Sequence, residues 1–93
     1  MALVHSNSQV TTTAGKIVQM PSGIGGLIAC QIYNGTGAAI FLGDATVTAT
    51  GANIGNSLAN GASVQVWLGA SDALYAICAT SPSGYLSILY AGV

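Results

Sequence analysis

Apolar and polar residues alternate along most of this chain with a period of two. In the segment Ser63–Leu68, for example, an aliphatic residue occupies every second position. Such alternation, together with many β-branched residues, is typical of half-buried β-strands, whereas the spacing of an amphipathic helix is rarely met in this sequence. The pattern therefore predicts short strands and essentially no helix.

Turn signals rich in Gly, Pro and Asn divide the chain at intervals of about eight to twelve residues, as in β-sandwiches. The Asn34-Gly35 pair between two apolar runs predicts a hairpin, because both residue types accept positive φ. Leu58 is the apolar residue expected to pin the Gly/Asn-rich loop 51–60 to the core. The predicted strands are Gln9–Thr13, Lys16–Met20, Leu27–Tyr33, Ala38–Leu42, Thr46–Thr50, Ser63–Leu68, Ala73–Ala79 and Tyr85–Ala91.

This pattern predicts an all-β fold, a small antiparallel β-sandwich or barrel of about eight short strands, jelly-roll-like. The continuous apolar run 74–79 indicates a central strand that is covered on both faces. A chain of 93 residues has room for one domain. We expect residues 15–93 to form a single β-sandwich domain. Residues 1–14 are expected to form either an edge strand or an N-terminal arm that adds a strand to a partner sheet.

Charge is almost absent from the sequence. Charged residues make up 3% of the chain, against about 25% in an ordinary soluble domain, while 52% of the residues are hydrophobic. The only charged side chains are Lys16, Asp44 and Asp72, and one Lys cannot line phosphates, which excludes nucleic-acid binding. No apolar run has the length of a membrane span, and the first residues lack the features of a signal peptide. We therefore expect no membrane partner and a protein that stays where it is made.

Few side chains are suited to catalysis. His5 is the only candidate base, and both Asp44 and Asp72 lie in Gly-rich turns, where Asp commonly caps its own backbone. We expect no enzyme, no cofactor and no metal, although backbone carbonyls completing a calcium site stay open as an alternative. Cys30 and Cys78 lie in apolar, strand-like runs, and we expect them to be buried thiols.

The excess of apolar residues predicts self-association. A domain near this size buries only about 60% of its surface on folding, so apolar side chains remain for subunit interfaces. We expect a homo-oligomer, and we expect the contacts with its partners on the N-terminal arm and on one strand face or loop that carries Trp67 or Tyr85. The interface candidates are Leu3, Val4, His5, Val10, Trp67 and Tyr85.

Four stretches of the sequence carry a resemblance to a known class of proteins. They are Ile40–Thr48, Gly61–Ser63, Leu68–Ile77 and Leu86–Leu89. Over residues 38–91 the chain resembles small β-sandwich structural proteins of tailed-bacteriophage virions, including head decoration (cement) proteins. The resemblance implies a virion component without enzymatic activity that is assembled in the host cytoplasm.

Sequence and resemblance together suggest one leading function. We expect a capsid decoration protein, trimeric, that binds the major capsid protein on the outer surface of a phage head. The alternatives are a phage tail or fibre subunit and a carbohydrate-binding or surface-adsorbing β module. The last would use the aromatic side chains and the threonines at alternate positions 46, 48 and 50.

Overall fold

The computed structural model describes residues 3–80, 82 and 84–91, and these residues form eight β-strands and no helix. Six strands lie within two residues of their predicted bounds, because the alternation that predicts them reflects one buried and one exposed face. The strands are β1 Leu3–Ser8, β2 Gly15–Gln19, β3 Ile28–Gly35, β4 Ile40–Gly43, β5 Asn56–Leu58, β6 Ser63–Leu68, β7 Ala73–Ile77 and β8 Tyr85–Ala91.

The strands form two four-stranded antiparallel sheets. The first sheet has the order β1-β8-β3-β6 and the second has the order β2-β7-β4-β5. Strands that are symmetric about the middle of the chain are therefore paired: β1 with β8, β2 with β7, β3 with β6 and β4 with β5. A long hairpin rolled into two sheets in this way is the jelly roll. The predicted all-β sandwich is confirmed.

The core lies between the two sheets. Along β3 the inward positions Cys30, Ile32 and Asn34 are buried, and the residues between them are exposed or partly exposed. Removing apolar surface from water at about 25 cal/mol per Å² is the main force that holds the sheets together. The largest fully buried apolar side chains are Met20, Ile32, Ile40, Leu86 and Ile88.

The N-terminal strand differs from its prediction. It spans Leu3–Ser8 and pairs along its whole length with β8, whereas the predicted segment 9–13 crosses to the second sheet. In that crossing Val10 is only 2% exposed, and the carbonyl of Thr11 accepts a hydrogen bond from the N–H of Cys78 at 3.0 Å. Val10, predicted as an interface residue, belongs to the core of the domain in this structure. The β-propensity of the threonines is outweighed by the burial of this single valine.

The threonine segment 46–50 is also not a strand. It belongs to a looped connection in which Val47 is buried, and the strand of this region is β5, with Leu58 buried as predicted. The hydroxyl of Thr46 donates to the Asp44 carboxylate, and that of Thr48 donates to the carbonyl of Thr50. Because these local hydrogen bonds compete with a sheet ladder, the chain turns here.

The Asn34-Gly35 pair does not make a hairpin, since β3 and β4 lie in different sheets. The Asn34 side chain is fully buried, and its amide nitrogen donates to the carbonyls of Ala38 and Leu58 at 2.8 Å each. Its amide oxygen accepts hydrogen bonds from the N–H and the hydroxyl of Thr36. The Asn34 side chain thus fixes the crossing between the two sheets through its hydrogen bonds. The predicted hairpin, in contrast, depended only on the ability of asparagine to adopt positive φ.

Cys30 and Cys78 are both buried free thiols, as predicted. Burial raises the pKa of each thiol above its ordinary value. The Cys78 thiol lies against the carbonyls of Val10, Thr11 and Thr80. Both cysteines therefore act as small core residues.

Candidate interaction surface

None of the three charged side chains lies in a strand of the first sheet. Lys16 lies in β2, Asp44 directly follows β4, and Asp72 directly precedes β7. The first sheet contains no Lys, Arg, Asp or Glu, and His5 is its only imidazole. The sandwich therefore has one uncharged layer.

The outward side of the first sheet, here called the outer face, holds most of the exposed large apolar side chains. Strand alternation directs the odd-numbered residues of β1, β3, β6 and β8 outward. Five of them are large, apolar or aromatic, and between 41% and 73% exposed. They are Leu3, Tyr33, Trp67, Tyr85 and Leu89.

Polar but uncharged side chains fill the positions between these residues. The strand register places the outward residues in two complete rows across the sheet, His5-Leu89-Gln31-Gln65 and Asn7-Ser87-Tyr33-Ser63. Within the second row, the hydroxyl of Ser87 donates to the side-chain oxygen of Asn7 at 3.1 Å. At about 4.8 Å between strands and 3.4 Å per residue, the outer face covers about 400 Å². It is a neutral, amphipathic surface.

The structure brings four of the six predicted interface residues onto this one face. Leu3, His5, Trp67 and Tyr85 are all exposed there. Val4 points to the other side of β1 and is half-buried. The sequence analysis predicted the contacts on an arm and one aromatic strand face or loop, and the strand order joins these elements into one surface.

Sequence reasoning did not place Tyr33 or Leu89 on this surface. Both residues have odd residue numbers, and in β3 and β8 the odd-numbered residues point away from the core, so the alternation alone indicates their exposure. That β3 and β8 are neighbours follows only from the strand order.

A shallow depression of about 310 Å³ lies beside the second sheet, lined in part by Asp44, Val47 and Ile54. The hydroxyl and then the N–H of Thr46, at 2.7 and 2.9 Å from the Asp44 carboxylate, lower the pKa of that carboxyl. A carboxylate held in this way caps its turn, as predicted.

The second carboxylate is also used locally. Asp72 accepts the N–H of Gly69 at 2.7 Å and closes the turn before β7. His5 lies in the other sheet, so the layers separate it from both Asp44 and Asp72. Within residues 3–80, 82 and 84–91, no three His, Cys, Asp or Glu side chains are grouped so as to hold a metal ion.

Across the described part of the chain, no helix is long and apolar enough to span a membrane. No protein-family model, curated protein or solved structure matches this sequence or fold.

Proposed function

We propose that this protein is a non-enzymatic structural component of a tailed-phage virion. It is made in the host cytoplasm, associates with copies of itself, and decorates the outer surface of the head by contacting the major capsid protein. The observation that carries the proposal is the uncharged outer face with its five exposed apolar side chains. Such a patch on a small domain is typical of a contact surface.

The fold agrees with this proposal but does not carry it. Jelly rolls occur in viral capsid proteins and also in lectins and cupins, so the architecture alone leaves the function open. The surface chemistry is more specific. A contact made by neutral side chains avoids the cost of removing ions from water, which often cancels the attraction of an ion pair.

The size of the outer face predicts a modest affinity for each site. A stable interface buries about 800 Å² on each partner, and the outer face of one copy offers about half of that. A capsid repeats the same site over its whole surface, so copies that also hold one another gain avidity without a stronger single contact. The outer face is therefore suited to a lattice of identical sites.

Purified particles of the tailed phage whose genome encodes this sequence provide the test. Immunogold labelling with antibodies against the protein should mark the heads in electron micrographs. Label confined to tails or fibres would favour the alternative of a tail or fibre subunit. Particles without label and without the protein in mass spectrometry would overturn the virion proposal.

A matched pair of variants tests whether the outer face makes the contact. Trp67→Lys places a charge at an exposed position of the face, and aromatic anchors of this kind commonly contribute at least about 2 kcal/mol to binding. Its binding to protein-free heads should fall at least tenfold in cosedimentation. Ser57→Lys, at an exposed position of β5 in the second sheet, should bind as the unaltered protein does. Equal binding by both variants would remove the outer face from the contact.

A carbohydrate-binding module is the second candidate, and one observation favours it. The aromatic rings of Tyr33, Tyr85 and Trp67 are exposed on the same face as the amides of Gln31 and Gln65. Flat aromatic rings beside amide groups suit the apolar and hydroxyl surfaces of a sugar ring. Binding of the isolated protein on a glycan array, lost in Trp67→Lys, would favour this function over decoration.

A further inference from the structure

The four edge strands of the sandwich are not protected equally. An exposed edge offers unpaired N–H and C=O groups to another chain, and proteins usually shield it with charge, bulges or short length. In the second sheet, β2 carries Lys16 and an irregularity between Lys16 and Val18, and β5 has only three residues. Both edges of that sheet are therefore protected.

The edges of the first sheet, β1 and β6, are six residues long, free of charged residues and proline, and regular in register. They differ on their inward sides. In β1 the inward side includes the half-buried Ser6 and Ser8, which are suited to contact with water. In β6 it includes Val64 and Val66, which pack against the core and are nevertheless only half-buried. β6 thus leaves two aliphatic side chains partly uncovered at the border of the sandwich, whereas β1 leaves one, Val4.

Along β6 the main-chain N–H and C=O groups point alternately toward β3 and away from it, and one hydrogen bond shows which residues point away. The N–H of Asn34 donates to the carbonyl of Ala62 at 2.9 Å. Since the groups of successive residues point to opposite sides of an antiparallel strand, the N–H and C=O of Ser63, Gln65 and Trp67 point outward from the edge. These are the groups that a further strand would bind.

We propose that a second copy of this chain binds this edge, with β6 paired antiparallel to β6 of the partner about a two-fold axis at Gln65. In this register Gln65 faces its own counterpart, Ser63 faces the partner's Trp67, and Val64 faces the partner's Val66. The N–H and C=O groups of Ser63, Gln65 and Trp67 then form about six main-chain hydrogen bonds with the partner strand. Each strand meets its own sequence, and the absence of charge means that no residue meets a like charge.

The pairing has a consequence for the outer face. It joins two four-stranded sheets into one eight-stranded sheet and covers the exposed parts of Val64 and Val66. The two outer faces become continuous, with a combined area of about 800 Å², which equals one side of a standard interface. The proposed pair is a two-fold dimer, where the sequence analysis expected a trimer. It forms from the protein alone, so its failure and a failure of the virion proposal are distinguishable.

Light scattering on the purified protein and on two variants provides the first test. Each variant carries one substitution, in β6 or in the neighbouring strand β3. At about 100 μM, where a contact of micromolar affinity is nearly saturated, the unaltered protein should be a dimer. Gln65→Lys places two ammonium groups opposite each other at the axis, and the dimer should weaken at least tenfold. Gln31→Lys makes the same change on the adjacent strand, where the two charges lie about 14 Å apart and are screened beyond a Debye length of about 8 Å. That variant should remain a dimer.

A cysteine substitution tests the register even if Gln65→Lys is poorly folded. Paired residues at the axis have Cα atoms about 5.5 Å apart, within the range of a disulfide. Gln65→Cys should form a covalent dimer under mild oxidation, and Gln31→Cys should not. A monomeric unaltered protein would overturn the proposal. So would equal effects of the two lysine variants, or cross-linking of Gln31→Cys without cross-linking of Gln65→Cys.

Discussion

Replacing Asn34 with alanine should destabilise the protein more than any single polar substitution on its surface. The Asn34 side chain is 0% exposed and makes four hydrogen bonds. Two are donated to the carbonyls of Ala38 and Leu58, both at 2.8 Å, and two are accepted from Thr36, at 3.0 Å from its N–H and 2.6 Å from its hydroxyl. One amide group thus connects the β3–β4 crossing to β5.

The magnitude follows from these four bonds. A buried hydrogen bond contributes about 0.5–1.5 kcal/mol net, so their loss lowers the free energy of unfolding by about 2–6 kcal/mol. Domains of this kind have a total stability of about 5–15 kcal/mol, so the variant approaches the limit of folding. A loss of about 3 kcal/mol corresponds to a fall in Tm of about 12–24 °C for a domain of this size.

Urea unfolding followed by far-ultraviolet circular dichroism measures the effect. Asn60→Ala is the matched control, because Asn60 is exposed and its side-chain oxygen accepts one hydrogen bond, from the N–H of Gly37 at 2.9 Å. The control should lose no more than about 1 kcal/mol. The reasoning is refuted if Asn34→Ala unfolds at the same urea concentration as Asn60→Ala.

Three further predictions concern the core, the thiols and the Asp44 turn. A Cβ at Gly55 would lie 2.5 Å from backbone and side-chain atoms, whereas one at Gly23 would meet nothing within 4 Å. In thermal melts Gly55→Ala should therefore cost about 1–3 kcal/mol, and Gly23→Ala should cost much less. Cys30 and Cys78 should react with a thiol reagent at neutral pH only on unfolding, because burial raises the pKa of both; rapid labelling of the native protein would contradict this. The lowered pKa of the Asp44 carboxyl gives stability that is present above its ordinary value of about 3.9 and is lost as the pH falls through the folded-state pKa. Asp44→Asn should therefore be less stable than the unaltered protein at neutral pH, and in urea titrations the difference should shrink as the pH falls below the ordinary carboxyl pKa.

The alternation of residues was sufficient to predict most strands and the fold class. In β6 and β8 an apolar residue at every second position marks the side that packs on the core, and the bounds Ser63–Leu68 and Tyr85–Ala91 agree with the structure. In β1 the sequence from Leu3 to Ser8 is largely polar, and its strand depends on pairing with β8. β-Propensity predicted the strand at the neighbouring threonines 11–13, but pairing with β8 places it at Leu3–Ser8.

The candidate surface was predictable only in parts. Trp67 and Tyr85 were recognisable as aromatic anchors, since aromatic residues are common in interfaces. That they share a face with Leu3 follows from the strand order of the first sheet, which the local pattern does not contain. The burial of Asn34 was unpredictable for the same reason, because two of its partners, Ala38 and Leu58, are outside the local turn.

The pairing of β1 with β8 determines when the protein can finish folding during synthesis. Leu3 pairs with Ala91, so β1 has no partner strand until β8 has left the ribosome. Until then the first sheet also lacks β8, the inner strand that lies between β1 and β3. A nascent chain should therefore stay sensitive to protease until β8 has left the ribosome, with resistance appearing in a single late step.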